Sequence, residues 1–585
     1  MELSWLDISV FLAFFGVVIG VSMYKSRKEE TSEDFFLASR GLLWQFIGLS
    51  LIAANISTEH FVGMAGQGAG IAGLAVASYE WIAAITLVFV AIFFLPRFLR
   101  SGIFTIPEYL EYRYNPTARA IMAFYTMVIY IGVTIAAVIY SGGLTLQTIF
   151  GDLENPRHLL YGVLVIGGIA GLYTIWGGLK AVAWADLFQG SALIIGGAIT
   201  MVLGFIAIGK LHPSTEAGAG IFSTLSNGIQ LFSEKNADKL HMILPRDHSV
   251  LPWTALVVGL WIPNFYYWGL NQYICQRTLA AKTLKQGQLG VIFAAALKLI
   301  IPFIIILPGI MSLQLYGDKM TGESGTDAAY PLLIRHLVGP GARAFIFAAI
   351  SGAVISSLAS MLNSASTIFT MDLVKRHLKK DASDKSLIWT GRIATGVFVV
   401  IGMLIAPMLG DPRFMGIFTY IQEFQGYISP GILGVFVFGM IFKKAPAAAG
   451  VTGLILTVPV YGFLHWQFGE IAFLNRMAVT FGVILLVMLL MTLETTTLVT
   501  VCIAAFAAFL TRDFLQWQLG HIHFINAVTT GVFLISVLLL VYVKPLSEPK
   551  VMPVREKFDM RPAPSVVWLG AIVIAVTIGL YIIFR

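Results

Sequence analysis

Asn55, Glu59 and His60 interrupt an apolar run in the segment AANISTEH, where polar groups are costly unless they pair, line a cavity or reach an interface. Asn55 and His60 are five residues apart, which is about 140° round an intact helix at roughly 100° per residue. They serve one cavity only if the helix unwinds between them, and unwinding would also free carbonyls near Ala53 and Ile56. The alternative is that Asn55 joins two helices by an amide hydrogen bond, with Glu59 capping or pairing locally. Asn264, Tyr267 and Trp268 fall at i, i+3 and i+4, hence on one helix face. An amide beside two aromatic rings suits a hydroxylated ring such as a sugar, because amides bond hydroxyls and a ring covers a flat C–H face. Plain packing is the competing use of such a stripe, and Tyr266, one step round, points elsewhere.

Glu80, Lys298 and Gln422 lie in three further apolar spans. Glu80 follows Ala-Ser-Tyr and reads as interfacial. Lys298 lies about eleven residues into its span, too deep for easy snorkelling. It therefore needs a partner, either Glu80, Glu423 or a solute, and Gln422 is open to the same two readings. Ser356 and Ser357, in AVISSLASMLNSAS, either bond back to their own helix or coordinate a hard cation, which prefers oxygen ligands. Carbonyls at Ala53, Ile56 and Ala353 facing those two hydroxyls would form an all-oxygen site without formal charge. Asp186, in WADLFQG, is either a helix cap or a stop on an ion path, with the cap slightly favoured.

These residues must be positioned by membrane helices. The chain has 585 residues, 57% hydrophobic and 12% charged, where a soluble domain carries roughly a quarter charged. Two cysteines, Cys275 and Cys502, form no disulfide framework and no paired metal or redox motif. The net charge of +7 is dispersed between apolar blocks, not gathered into a basic stripe, so nucleic acid is not implied. No metal-spacing cluster or nucleophile motif points to an enzyme.

A window of roughly 19 residues finds about 16 candidate spans: 5–24, 43–66, 72–95, 120–148, 159–177, 187–209, 252–275 and 287–316, then 342–371, 389–408, 416–441, 446–466, 473–493, 495–511, 524–543 and 565–584. The first has no basic residue before it and Lys25, Arg27 and Lys28 after it, the reverse of a cleavable signal peptide, so it is expected to stay with its N-terminus outside. Alternation then places most of the 38 Lys and Arg on the cytoplasmic side, as the positive-inside rule requires. Both termini come out extracytoplasmic. The spans 43–66, with its polar break and glycine series, and 252–275, with Pro263, each carry an interruption. They open two blocks of five helices, which insert with opposite orientation because five is odd, the pattern of an inverted-repeat transporter with its site at the broken helices. The expected organisation is an N-terminal extra helix and loop (1–41), a first repeat (42–209), an outer loop (210–251), a second repeat (252–441) and accessory helices (442–585).

The segments SLIAANISTEHFVGMAGQG, ASYEWIAAITL, NFYYWGLNQYICQRTLAAK, FAAALKLIIPF, SSLASMLNSASTIFTMD and YIQEFQGYISPGI, in that order, resemble the solute:sodium symporter family. Within it they look like the sodium/glucose cotransporter branch, on the side of its bacterial sodium/galactose members, over most of 5–466 and the last helix. The resemblance implies an all-α polytopic membrane protein with a LeuT-like 5+5 inverted repeat and extra helices at both ends. It implies a plasma-membrane symporter, in the inner membrane of a bacterium, that imports a monosaccharide with sodium by alternating access. Sugar contacts would fall on Asn55, His60, Glu80, Asn264, Lys298 and Gln422, with Tyr267 as inner gate and Trp268 beside it. Sodium ligands would fall on Ala53, Ile56, Ala353, Ser356 and Ser357, and Asp186 would lie on the sodium exit path. His60 stands where the bacterial galactose members have Gln and animal glucose members have His, and Ala83 replaces a Ser that helps hold the sugar, so myo-inositol or sialic acid remains an alternative solute. Ala359 replaces the hydroxyl of members thought to hold an additional sodium, which implies one sodium per sugar. The pair within 495–543 looks like an insertion.

Overall fold

The computed structural model describes residues 5–26, 31–57, 59–150, 155–216, 218–320, 325–339, 341–410, 417–492, 546–555 and 558–585. The expected hairpin of 495–511 and 524–543 lies outside them. Among the described residues the chain is helical, with one isolated bridge between Leu42 and Ala281. Seven helices position the polar groups: α1 (Trp44–Asn55), α2 (Ser78–Phe89), α3 (Pro156–Gly209), α4 (Trp261–Leu270), α5 (Leu284–Tyr316), α6 (Ala342–Ile368) and α7 (Ile417–Gly426).

Ten helices among the described residues are long and apolar enough to cross a membrane, or eleven if the pair Tyr420–Gly426 and Ser429–Ile441, bent by 48°, is one span. Three expected spans that fall on described residues are not among them. The spans 43–66 and 252–275 are divided, and 159–177 is represented by the shorter apolar helix Arg157–Leu172. α3 would be about 80 Å long if straight, more than twice the hydrocarbon thickness, and it is broken at Gly178, whose φ of 52° and ψ of −174° suit only glycine.

Burial grades from periphery to centre. In the best apolar window of Ala342–Leu378, 94% of residues are buried, against 17% near the N-terminus and 22% in Val566–Ile583. α6 is thus wrapped by protein, whereas the terminal helices leave most of their apolar surface exposed. Pro308 within α5 has no N–H to bond the Ile304 carbonyl, and the Tyr330 hydroxyl donates to that carbonyl instead (3.2 Å). α5 crosses the segment after α1 very closely: a Cβ on Gly309 would lie 2.2 Å from the Ala65 carbonyl oxygen.

Candidate functional site

α1 ends at Asn55, and Ile56 is extended (φ −78°, ψ 102°). The chain then re-enters helix through a wide turn over Glu59–Met64 and a short helix Ala65–Ala69. Ser57 explains the restart: its hydroxyl accepts from the Glu59 N–H (3.1 Å) and its carbonyl from the His60 N–H (3.0 Å), serving donors that a helix start leaves free. The unwinding turns Asn55 and His60 to one cavity, which also touches Glu59, Tyr79, Glu80, Asn264, Tyr267, Trp268, Gln422 and Gln425.

A hydrogen-bonded string crosses this cavity's wall. The Tyr273 hydroxyl donates to the Tyr267 hydroxyl, and Asn55 Nδ2 donates to the same oxygen (2.9 Å). Lys298 Nζ donates to Asn55 Oδ1 and to Glu80 Oε2, and Glu80 Oε1 is 3.3 Å from His60 Nε2. Lys298 is fully buried and its ammonium lies 4.8 Å from the centre of the Trp268 ring, a cation–π arrangement. Of Lys298's two candidate carboxylates the structure selects Glu80. Glu423 instead accepts from Arg476 (2.7 and 2.9 Å) and is within 2.9 Å of His465 Nδ1. Glu80 is buried, not interfacial, because the Lys298 ammonium compensates it inside the bundle.

Among the described residues, four buried polar atoms on the cavity residues have no hydrogen-bond partner: Glu59 Oε1, His60 Nδ1, Tyr79 Oη and Gln422 Oε1. Glu59 therefore departs from the local-capping expectation, since Ser57 performs the cap. Asn264 lines the cavity while its Nδ2 donates to the Leu260 carbonyl of its own helix (2.9 Å). The helix is irregular just before Pro263, where a wide turn over Ala255–Gly259 closes with the Leu260 N–H on the Ala255 carbonyl (2.8 Å), and it breaks fully only at Asn271 (φ −79°, ψ 122°). Asn271 Oδ1 accepts from the Tyr130 hydroxyl, which itself accepts from the Tyr273 N–H (3.0 Å), and the Tyr273 ring meets those of Tyr130 and Tyr267 edge to face beside Asn55.

A second polar centre lies where α6 passes the α1 break. The Ser357 hydroxyl donates to the carbonyls of Ala54 (3.0 Å) and Ala53 (3.4 Å), and Ala353, Ile56 and Ser356 are all buried. Ser356 donates to Asp186 Oδ1. Asp186 also accepts from Ser50 and from Arg277 Nη2 (3.0 Å), and Arg277 donates further to Ser50 (2.6 Å) and to Ser360. The cap expected at Asp186 is thus not formed: Asp186 is fully buried inside the helix beyond Gly178, and its oxygens are taken by side chains. The Ser357 hydroxyl and the Ala53 and Ala54 carbonyls are hard oxygen donors of the kind a sodium ion takes, while the Ser356 hydroxyl is engaged by Asp186. Among the described residues no cluster of three or more His, Cys, Asp or Glu could hold a metal.

Sequence reasoning missed Tyr79, Gln425, Tyr130, Tyr273 and Arg277. Two had a signal: Gln425 is i+3 from Gln422, and Arg277 follows a membrane-depth segment where an unpaired charge is excluded.

The pattern of the sodium:solute symporter family matches residues 35–457. The sodium/glucose cotransporter of Vibrio parahaemolyticus is 41% identical over 499 residues, 82% of this chain and 88% of that one. The sodium/myo-inositol cotransporter 2 of Bos taurus is 34% identical over 468 residues, covering 77% and 68%. The solved structure of a substrate-bound, outward-open sodium-coupled sialic acid symporter matches with a TM-score of 0.71 at 21% identity, over 83% of this chain and 97% of that one. At that identity the likeness speaks to the fold.

Proposed function

The chain belongs to the sodium:solute symporter family, so sodium accompanies its solute across the membrane, and on that premise we propose that the solute is a neutral monosaccharide of the glucose or galactose kind, taken up with one sodium. The observation that carries this reading is the set of unpartnered polar atoms, Glu59 Oε1, Tyr79 Oη, His60 Nδ1 and Gln422 Oε1, on the residues of one cavity beside the Trp268 and Tyr267 rings. Sugar hydroxyls both donate and accept, which matches such a mixed set. An anionic solute such as sialic acid is disfavoured, because no Lys or Arg is among the residues lining the cavity, and the Lys298 ammonium, buried behind its wall, is already neutralised by Glu80. Myo-inositol shares the neutral polyol chemistry and is the second reading.

Sodium in this scheme binds the carbonyls of Ala53, Ile56 and Ala353 and the hydroxyls of Ser356 and Ser357, tying the break of α1 to α6. The tie favours an outward-open state, in which Asn55, His60, Glu80, Asn264, Lys298 and Gln422 receive the sugar, by contact or through the string that orders them. Release of sodium past Asp186 loosens α1, and Tyr267, bonded directly to Asn55, yields as the inner gate. The Arg277 guanidinium occupies the oxygen cluster of Asp186, Ser50 and Ser360, which supports a single transported ion. One uncompensated sodium then gains roughly 2.3 kcal/mol per 100 mV of membrane potential. Linkage requires sugar and sodium to tighten one another by the same factor. The surrounding frame is read as two opposed five-helix repeats, 42–209 and 252–441, in a bacterial inner membrane.

The test is uptake of a panel of labelled sugars, myo-inositol and sialic acid into proteoliposomes, with and without an inward sodium gradient. A glucose- or galactose-class sugar accumulating only with the gradient, at a flux ratio of one sodium, supports the reading. Sodium-independent uptake, or accumulation of sialic acid alone, removes it.

A further inference from the structure

Remote from the sodium centre, at the end of the apolar span Gly73–Ser101, five cations surround one pocket of about 340 Å³: Arg97, Arg100, Arg113, Lys443 and Lys550. Its lining includes no carboxylate. Arg113 is buried and donates to the carbonyls of Gly439 (2.7 Å), Phe442 (2.5 Å) and Ala445 (3.3 Å), and Lys550 donates to the Tyr114 carbonyl (2.5 Å). Carbonyls orient these groups without cancelling their charge. Arg97, Arg100 and Lys443 are exposed, and among the described residues none forms an ion pair. Such a pocket calls for a ligand with several anionic oxygens.

The pocket does not stand alone. Arg97 and Met440 also border an apolar groove of about 450 Å³, walled by Phe89, Phe93, Val257, Trp261, Phe265 and Phe481. Phe93 and Val257 are 47% and 63% exposed at membrane depth. On the other side Arg97 and Arg100 border a second furrow, against Leu284, Pro562 and Val566. A charged centre flanked by two apolar channels matches an amphiphile, since a water-soluble phosphate would leave both channels unfilled. The density of Lys and Arg assigns this end to the cytoplasmic leaflet, whose lipids carry negative headgroups.

We propose that this pocket and groove bind an anionic glycerophospholipid, its phosphate held among Arg97, Arg100 and Lys443 and an acyl chain lying along Phe93, Trp261 and Phe265. The site is separate from the solute cavity and does not depend on which solute is carried.

Trp261 within the groove supplies the probe. Full-length protein in phosphatidylcholine vesicles is titrated with phosphatidylglycerol brominated on its acyl chains, and the Trp261 signal is taken as the difference between wild type and Trp261→Phe. Quenching at a lower mole fraction of brominated phosphatidylglycerol than of brominated phosphatidylcholine is expected. Arg97→Gln, Arg100→Gln and Lys443→Gln together should erase that preference, by about 5-fold per charge removed. These side chains are exposed, and Arg100→Gln alone should give one step of the shift if the triple variant does not fold. Equal quenching by the two lipids overturns the proposal. So does loss of the preference on adding millimolar glycerol phosphate to the buffer, which would assign the pocket to a soluble phosphate.

Discussion

On the proposed reading Ser357 and Gln422 serve different ligands, and single substitutions should separate them. Ser357 touches the carbonyls exposed by the α1 break, whereas Gln422, which lines the proposed solute cavity, offers an oxygen without a partner among the described residues. Ser357→Ala should raise the sodium concentration for half-maximal uptake about tenfold, with sugar affinity at saturating sodium little changed. Gln422→Ala should raise the sugar KM about tenfold, the scale of one lost hydrogen bond in a buried site, with sodium dependence preserved. Identical defects in both would contradict the division. Lys298 carries a second test. Removing one member of a buried ion pair leaves an uncompensated charge and costs about 3–5 kcal/mol. Lys298→Met should therefore lower the melting temperature sharply, and adding Glu80→Gln should restore much of it even though transport stays lost. A double variant no more stable than Lys298→Met would show that the pair is not what Lys298 stabilises.

At the level of elements, the broken α1 depends on what crosses it. Gly309 of α5 lets the Ala65 carbonyl approach to a distance where a Cβ would lie only 2.2 Å away, and the contact is backbone, which cannot swing aside. Gly309→Ala should displace the half-helix after the break, lowering thermal stability and abolishing uptake. Gly579→Ala, at a glycine with nothing within 4 Å, should do neither, so equal behaviour of the two variants in a melting and uptake assay would refute the crossing argument. The existence of an interruption in α1 was legible from AANISTEH, because polar residues at membrane depth need a reason. The second interruption was legible in part at Pro263, which follows a wide turn over Ala255–Gly259, but the full break at Asn271, which holds the Tyr130 hydroxyl, carried no such local signal.

Across the whole molecule, charged residues distant in sequence clasp the helix ends. Glu111, on the connecting helix Ile106–Arg113, accepts from Arg119 (2.8 Å) and Arg376 (2.7 Å), and Arg119 also reaches Asp372 (2.6 Å). Burial pushes the Glu111 carboxyl up, but its hydrogen bonds to the two arginines outweigh this and hold it below the ordinary glutamate value. A carboxyl depressed in the folded state contributes stability at pH above its unfolded value, and that contribution is lost as pH falls through the folded value. The melting temperature of wild type should thus drop more than that of Glu111→Gln as pH is lowered below about 4.3; parallel curves would exclude the clasp. By itself the amino-acid sequence determined the helical membrane class, most span positions and the polar residues that had to be explained, because apolar length and the penalty for polarity in lipid are local properties of a segment. Tertiary structure alone decided that Lys298 meets Glu80 and not Glu423, that Asp186 is held by Arg277 instead of capping a helix, and that Glu59 is left open to the cavity. Pairing is set by where helices cross, and residues hundreds of positions apart carry no local record of which neighbour the crossing will bring.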